Sequence, residues 1–323
     1  MENGPKSYAF RDIGDDARRQ YIDAESAFTA WEAAKAEIAN VPGGMHWKSQ
    51  GAIEYLIRTS GKSQKSLGVR SAATEDIYNR FISRKEAARD RLSGLTLAVD
   101  RHQRMNRALR VGRVPRIVVD VLAELTRAGV DKYFTVVGTH ALYAYEAAAG
   151  VRIGEEAALA TQDVDLLWDT RNRVQFVSRM GALGSTMIGL LQKADSSFRI
   201  REEQPFTAAN KEGFEVDIIR REAKEGDDHP LQLTDDDGDF WAVQATRARQ
   251  LLNVPKFSAV VAARSGHMAR MTTISPLVFC EFKRWMSEQN DRIALKRSRN
   301  RLQAEIVEQL VHEYLPQWIV SNA

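Results

Sequence analysis

The sequence predicts an α+β fold, with a small mixed sheet and its helices at about residues 128–225, flanked by helical regions at 1–127 and 226–323. Three observations predict it. Before about residue 125 and after Pro276, apolar residues recur at three- and four-residue spacing, the period of one helix face. From Val130 the pattern changes to short runs of β-branched and aromatic residues that stop at glycine or polar residues, as strands do. Between those strand-like runs lie short helix-like ones.

Taken in order, Asp15 to Ala39 sets Phe28, Trp31 and Ile38 among charges, and Pro42-Gly43-Gly44 ends that helix. A loop-rich stretch is expected from GGMHWKSQG at residue 43 to RTSGKSQKSLGVRS ending at residue 71. Its Trp47, Lys48, Lys65 and Arg70 suit a loop that contacts phosphates or bases, or equally a core tryptophan among solvated cations. Gly61-Lys62-Ser63 is no P-loop, because Leu56 stands where that motif needs glycine. Thr74 is expected to cap a long helix with Ile77, Phe81, Ala88, Leu92 and Leu95 on one stripe; Gly94 is a candidate bend, and Gly112 with Pro115 marks the latest end.

The run Tyr133 to Val137 then reads as a strand stopping at Gly138, and HALYAYEAAAG, from His140, as a short helix. Val164 to Trp168 is a second strand, Val174 to Lys193 a helix, and Phe198 to Arg201 and Phe214 to Ile219 are further strands. An acidic loop, EGDDHPLQLTDDDGD, separates them from the helical patterns that return at Pro276.

Composition bounds the chemistry. A chain of 323 residues, 44% hydrophobic and 28% charged, can bury a substantial core. No stretch reaches the roughly 18 apolar residues of a membrane span, and the start has no basic-then-apolar leader pattern, so a cytoplasmic protein is expected. One cysteine, Cys280 in an apolar run, excludes disulfides and cysteine metal clusters within one chain. The six histidines never fall at helical zinc-site spacing, which argues against zinc hydrolases. A net charge of +3 says little, but Arg80 to Arg116 carries eleven cations against Glu86, Asp90 and Asp100. Such a helical face could track a nucleic-acid backbone, or simply be solvated.

The chemistry gathers around three aspartates. Asp163 and Asp165 are two apart in DVDLLW, so a strand presents both carboxylates on one face while Val164 turns to the other. Like charges that close are costly without a cation between them, and hard oxygen donors suit Mg2+. Gly138-Thr139 follows a strand and precedes a helix, where backbone can approach a phosphate and a helix N-terminus favours an anion. Asp217, between Val216 and Ile218, must face a rim, a partner or a metal, with Glu215 as the fallback on the same face.

This order resembles the polymerase-beta-like nucleotidyltransferase superfamily, whose pattern is hydrophobic-Gly-Gly/Ser, then Asp-x-Asp/Glu, then a third carboxylate, over about residues 130–220. ATQDVDLLWD is also similar to the R-x-[ST]-x-D-[LIV]-D pattern of the branch that includes bacterial nucleotidyltransferase-like toxins and abortive-infection proteins. Thr161 fills the [ST] place, whereas Leu159 stands where the pattern has arginine, with Arg152 further upstream. Thr139 stands where serine or glycine is usual.

The resemblance implies an enzyme that transfers NMP from an NTP to an acceptor hydroxyl of RNA, protein or a small molecule. Asp163 and Asp165 would ligate Mg2+ carrying the β- and γ-phosphates, and Asp217 would complete a second metal position. Gly138, Thr139 and Lys283 would bind the nucleotide, and a nucleic-acid acceptor would lie on the basic helices of Arg80–Arg116. A non-catalytic nucleic-acid-binding protein with a degenerate form of this fold is the alternative. A metal-dependent phosphodiesterase ranks below both, with His140 the only histidine near these motifs.

Overall fold

The computed structural model describes residues 7–61 and 63–320. Lys62 and the first six residues, read above for a P-loop and a leader, lie outside them. The chain divides into two compact units: residues 19–109, and the described residues before 19 together with those after 109.

After β1 (Phe10–Asp12), α1 (Asp15–Ala39) leads into the first unit, where a sheet of β2 (Gly44–Gln50), β3 (Ile53–Ser60) and β4 (Ser63–Val69) precedes α2 (Ala72–Ala108). The expected loop-rich stretch at 43–71 is therefore an antiparallel meander. Its glycines and serines mask a register that sets Trp47 opposite Leu56 and Tyr55 opposite Val69, pairings that become visible only when strands meet. Trp47 leans on Tyr78 at 5.7 Å, and the Arg70 guanidinium covers its ring at 5.0 Å.

α2 is continuous through Gly94 and ends at Ala108. Its cap is Ser71 rather than Thr74: the Ser71 hydroxyl accepts from the Thr74 N–H at 3.3 Å, and Thr74 reciprocates on the Ser71 N–H at 2.8 Å. Thr74, Phe81 and Ala88, then Val99 and Asn106, are buried at seven-residue spacing; Thr74 donates to the Val69 carbonyl at 3.0 Å and the Arg58 guanidinium covers Phe81 at 4.1 Å, so the start of the helix rests on the sheet. Gln20 donates to Asn106 at 2.8 Å and Trp31 to Thr96 at 3.2 Å, so α1 and α2 run antiparallel.

The second unit continues with α3 (Arg116–Ala128), β5 (Phe134–Val137), α4 (Ala141–Ala149), β6 (Val151–Ile153), α5 (Glu156–Leu159) and β7 (Asp163–Trp168). α6 (Arg173–Leu183), α7 (Met187–Ala194), β8 (Arg199–Arg201), β9 (Gln204–Ala209) and β10 (Glu215–Arg221) follow. It closes with β11 (Leu231–Gln232), β12 (Trp241–Ala245), α8 (Ala248–Leu252), β13 (Lys256–Ala262), β14 (Met268–Ile274), α9 (Pro276–Glu288), α10 (Ala294–Tyr314) and α11 (Gln317–Val320).

The architecture is α+β, as expected. Nine strands form one mixed sheet in the order β11-β12-β10-β7-β5-β14-β13, with β9 also pairing β10 and β8 pairing β9. β7 lies at its centre, parallel to β10 and antiparallel to β5. The buried runs of β5 and β7 pack in a core that includes Val118, Leu142, Trp168, Phe176 and Phe279.

Two expectations fail in this unit. The single helix expected at 174–193 is two, because Gly184 takes a left-handed conformation (φ 57°) that ends α6, and Thr186 caps α7 through the Gly189 N–H at 3.1 Å. Residues 241–274, given no strand above, supply β12, β13 and β14; burial of most of β13 and β14 blurs the alternation that marks a half-exposed strand, and β12 is only five residues long with a single buried one.

Candidate active site

Parallel pairing of β7 and β10 builds the site. Its register sets Asp217 beside Asp165 and Glu215 beside Asp163, so four carboxylates point to one face of the sheet. One oxygen from each of Asp163, Asp165 and Asp217 lies within 4.8 Å of the others. Glu215 turns instead to the Arg201 guanidinium in an ion pair, so geometry separates the two candidates for the third carboxylate.

Hydroxyls hold two of the acids. Thr161 donates to Asp163, which gives the [ST] position of the motif a physical task, and Thr207 on β9 donates to Asp217 Oδ1 at 2.5 Å. Thr207 had no signal in the sequence, because β9 reaches β10 only through sheet pairing.

Gly138 closes the same space from β5. Its φ of 76° favours glycine, and a Cβ there would collide with the Asp165 carboxylate. Thr139 is buried and does not cap α4; its hydroxyl accepts from Gln303 Nε2 at 3.0 Å and keeps its own proton free to donate. His140 is buried between Tyr143 and Phe214, and burial pushes its imidazole down to about 4.

Burial, joined by repulsion from Asp163 and Asp217, pushes the Asp165 carboxyl up to about 7, against the pull of Lys283 and Arg292. Asp217 is raised too, chiefly by burial and by Asp163 and Glu215, although the Thr207 bond opposes it. Two carboxyls that resist ionisation beside a third are a donor set that a hard divalent cation would relieve, so these residues fit Mg2+.

Lys283, on α9, faces the triad. It is buried, donates to Asn300 Oδ1 at 3.3 Å, and is pushed down to about 8 by burial and by Arg299 and Arg292, with Asp165 pulling the other way. Together these groups line a cavity of about 520 Å³ that also takes in Arg292, Lys296 and Arg299. Arg292, in the turn after α9, was not singled out in the sequence. Arg299 Nη1 donates to the Ala160 carbonyl at 2.8 Å, so a guanidinium from α10 reaches the segment where Leu159 replaces the motif's arginine. Arg152 faces elsewhere, donating to backbone carbonyls at Arg110 and Val111.

A family model described as nucleotidyltransferase matches residues 116–322, which takes in every residue of this cavity. No curated protein and no solved structure matches the chain.

Proposed function

The chain belongs to the nucleotidyltransferase family, and on that premise we propose that it transfers NMP from an NTP to an acceptor hydroxyl by in-line displacement, in the manner of the polymerase-beta-like branch that includes bacterial toxin and abortive-infection proteins. The observation that carries this reading is the β7–β10 register, which gathers Asp163, Asp165 and Asp217 within 4.8 Å beside the Gly138 turn.

Mg2+ held by the three carboxylates would neutralise phosphate charge and lower the pKa of the attacking hydroxyl, as two-metal sites do. Lys283 and Arg299 reach the same cavity and neutralise the triphosphate as it sheds pyrophosphate. Thr139 offers its hydroxyl proton, and the glycine at 138 lets the chain approach a phosphate oxygen. Thr161 and Thr207 keep their carboxylates aimed inward. The acceptor oxygen bonds the α-phosphorus, pyrophosphate leaves with the P–O electron pair, and the hydroxyl proton departs past Asp217.

In this proposal residues 128–225 carry the chemical core, the segment after 225 supplies Lys283, and the segment before 128 serves the acceptor. Exposed Arg84, Arg89, Arg101, Arg104 and Arg107 on α2 support a nucleic-acid acceptor. The setting proposed is the bacterial cytoplasm; no described helix is long and apolar enough to cross a membrane.

The test incubates α-labelled NTPs and Mg2+ with RNA, protein and small-molecule acceptors. Label should enter one acceptor class and disappear with Asp163→Asn. Wild-type protein that binds RNA, labels nothing and is indifferent to Asp163→Asn sinks the enzymatic reading.

A further inference from the structure

The cations of α10 extend beyond what a nucleoside triphosphate can use. Residues 292–304 hold Arg292, Lys296, Arg297, Arg299 and Arg301 with no acid among them. At about 100° per residue, Lys296 and Arg299 share one side of α10 with Asn300, and Arg297 and Arg301 share a stripe about 120° away. The structure agrees with that division. Arg292, Lys296 and Arg299 line the cavity of the aspartates, whereas Arg297 and Arg301 line an adjoining recess of about 460 Å³ with Ser298 and Tyr8.

Lys296 and Arg301 form no ion pair among the described residues, and the Arg297 guanidinium donates to the neutral Asn290 side chain at 3.2 Å and pairs with no described acid. The acid in the recess, Glu305, is engaged by the Tyr8 hydroxyl, and Asp291 stands at the cavity mouth. Beside these cations Ile293 is 62% and Leu295 78% exposed, apolar surface against which an unpaired base could rest. A triphosphate bound at Lys283 would meet the cavity cations and leave the second stripe unmet.

We propose that the N-terminal half of α10 is the track of a single-stranded RNA acceptor, its backbone crossing Arg301 and Arg297 and its reacting end entering the cavity past Lys296. The proposal rests on the transfer reading for the role of that RNA and names its acceptor class. Phosphates supply most of the affinity of such a track and make it salt-dependent. This surface belongs to the unit that carries the aspartates, whereas the arginines of α2 belong to the other unit.

The experiment measures binding of a labelled mixed-sequence single-stranded RNA by anisotropy across a salt series, and label transfer from α-labelled ATP to the same RNA. Arg297→Glu with Arg301→Glu should weaken RNA binding by at least about tenfold, and Arg297→Gln with Arg301→Gln should lower the salt slope by about 1.4, two phosphates' worth on a single strand. Both variants should keep the wild-type melting temperature and the stabilisation by ATP with Mg2+. Unchanged RNA affinity in the Glu variant, or weakened stabilisation by ATP, overturns the track while leaving transfer standing. Label that enters protein or a small molecule but never RNA overturns it too. RNA binding that depends on these arginines with no transfer to any acceptor keeps the track and sinks the transfer reading instead.

Discussion

Gly138 and Asp165 compete for one volume, and glycine is what lets both exist. With φ at 76° and the Asp165 carboxylate where a Cβ would go, Gly138→Ala adds backbone strain of about 1–3 kcal/mol and displaces the central acid. The expected result is a lower melting temperature with loss of labelled transfer, even though no charged group has been touched. Asp217 and Glu215 give a sharper contrast, since they are two apart on one strand face and only Asp217 joins the triad. Asp217→Asn should reduce transfer by on the order of 10²-fold or more. Glu215→Gln, which gives up a half-exposed ion pair with Arg201, should cost no more than about 1 kcal/mol of stability and change kcat little. Equal losses in the two variants, measured by initial rates, would contradict this assignment.

Among elements, the acidic loop before β12 holds one deeply buried acid beside exposed ones. Asp239 is buried, and its carboxylate accepts from the N–H groups of Met187 and Ile188 at 2.9 and 3.0 Å and from the Thr234 hydroxyl at 2.7 Å. It thus caps α7 from a distant segment, next to Thr186. Asp239→Ala should destabilise by about 2 kcal/mol, whereas Asp235→Ala, at an exposed position, should stay within about 0.5 kcal/mol. Denaturant melts of the two variants check the contrast. Nothing in the run TDDDGD distinguishes these acids, because the partner of Asp239 lies some fifty residues earlier in the chain.

Over the whole molecule, the triad sets how stability responds to pH and metal. The Asp165 carboxyl titrates at about 7 in the fold and at 3.8 when unperturbed. Below 3.8 it is protonated in both states. As pH rises from there to about 7 the unfolded chain ionises first, so metal-free protein loses stability across that window and does not regain it above. Asp165→Asn should flatten this part of the profile. Mg2+ should raise the melting temperature above pH 7 in wild-type protein and lose most of that effect in Asp165→Asn, because a ligand that binds the native state stabilises it. Thermal melts with chelator and with Mg2+ decide it, and a wild-type profile flat between 3.8 and 7 would contradict the buried, mutually repelling geometry.

Sequence alone determined what short-range physics controls. A period of two put Asp163 and Asp165 on one face, a glycine between strand and helix marked the turn at 138, and apolar periodicity marked α1 and α2. Lys283 came instead from the family resemblance, and it lines the same cavity as the aspartates. Pairing between distant segments was decided only by tertiary structure: the choice of Asp217 over Glu215, the Thr207 bond, the arrival of Arg292 and Arg299, and the β2–β4 meander hidden among glycines and serines. Local propensity acts over a few residues, whereas register and helix docking are set by burial summed over the whole sheet, which no single stretch of chain encodes.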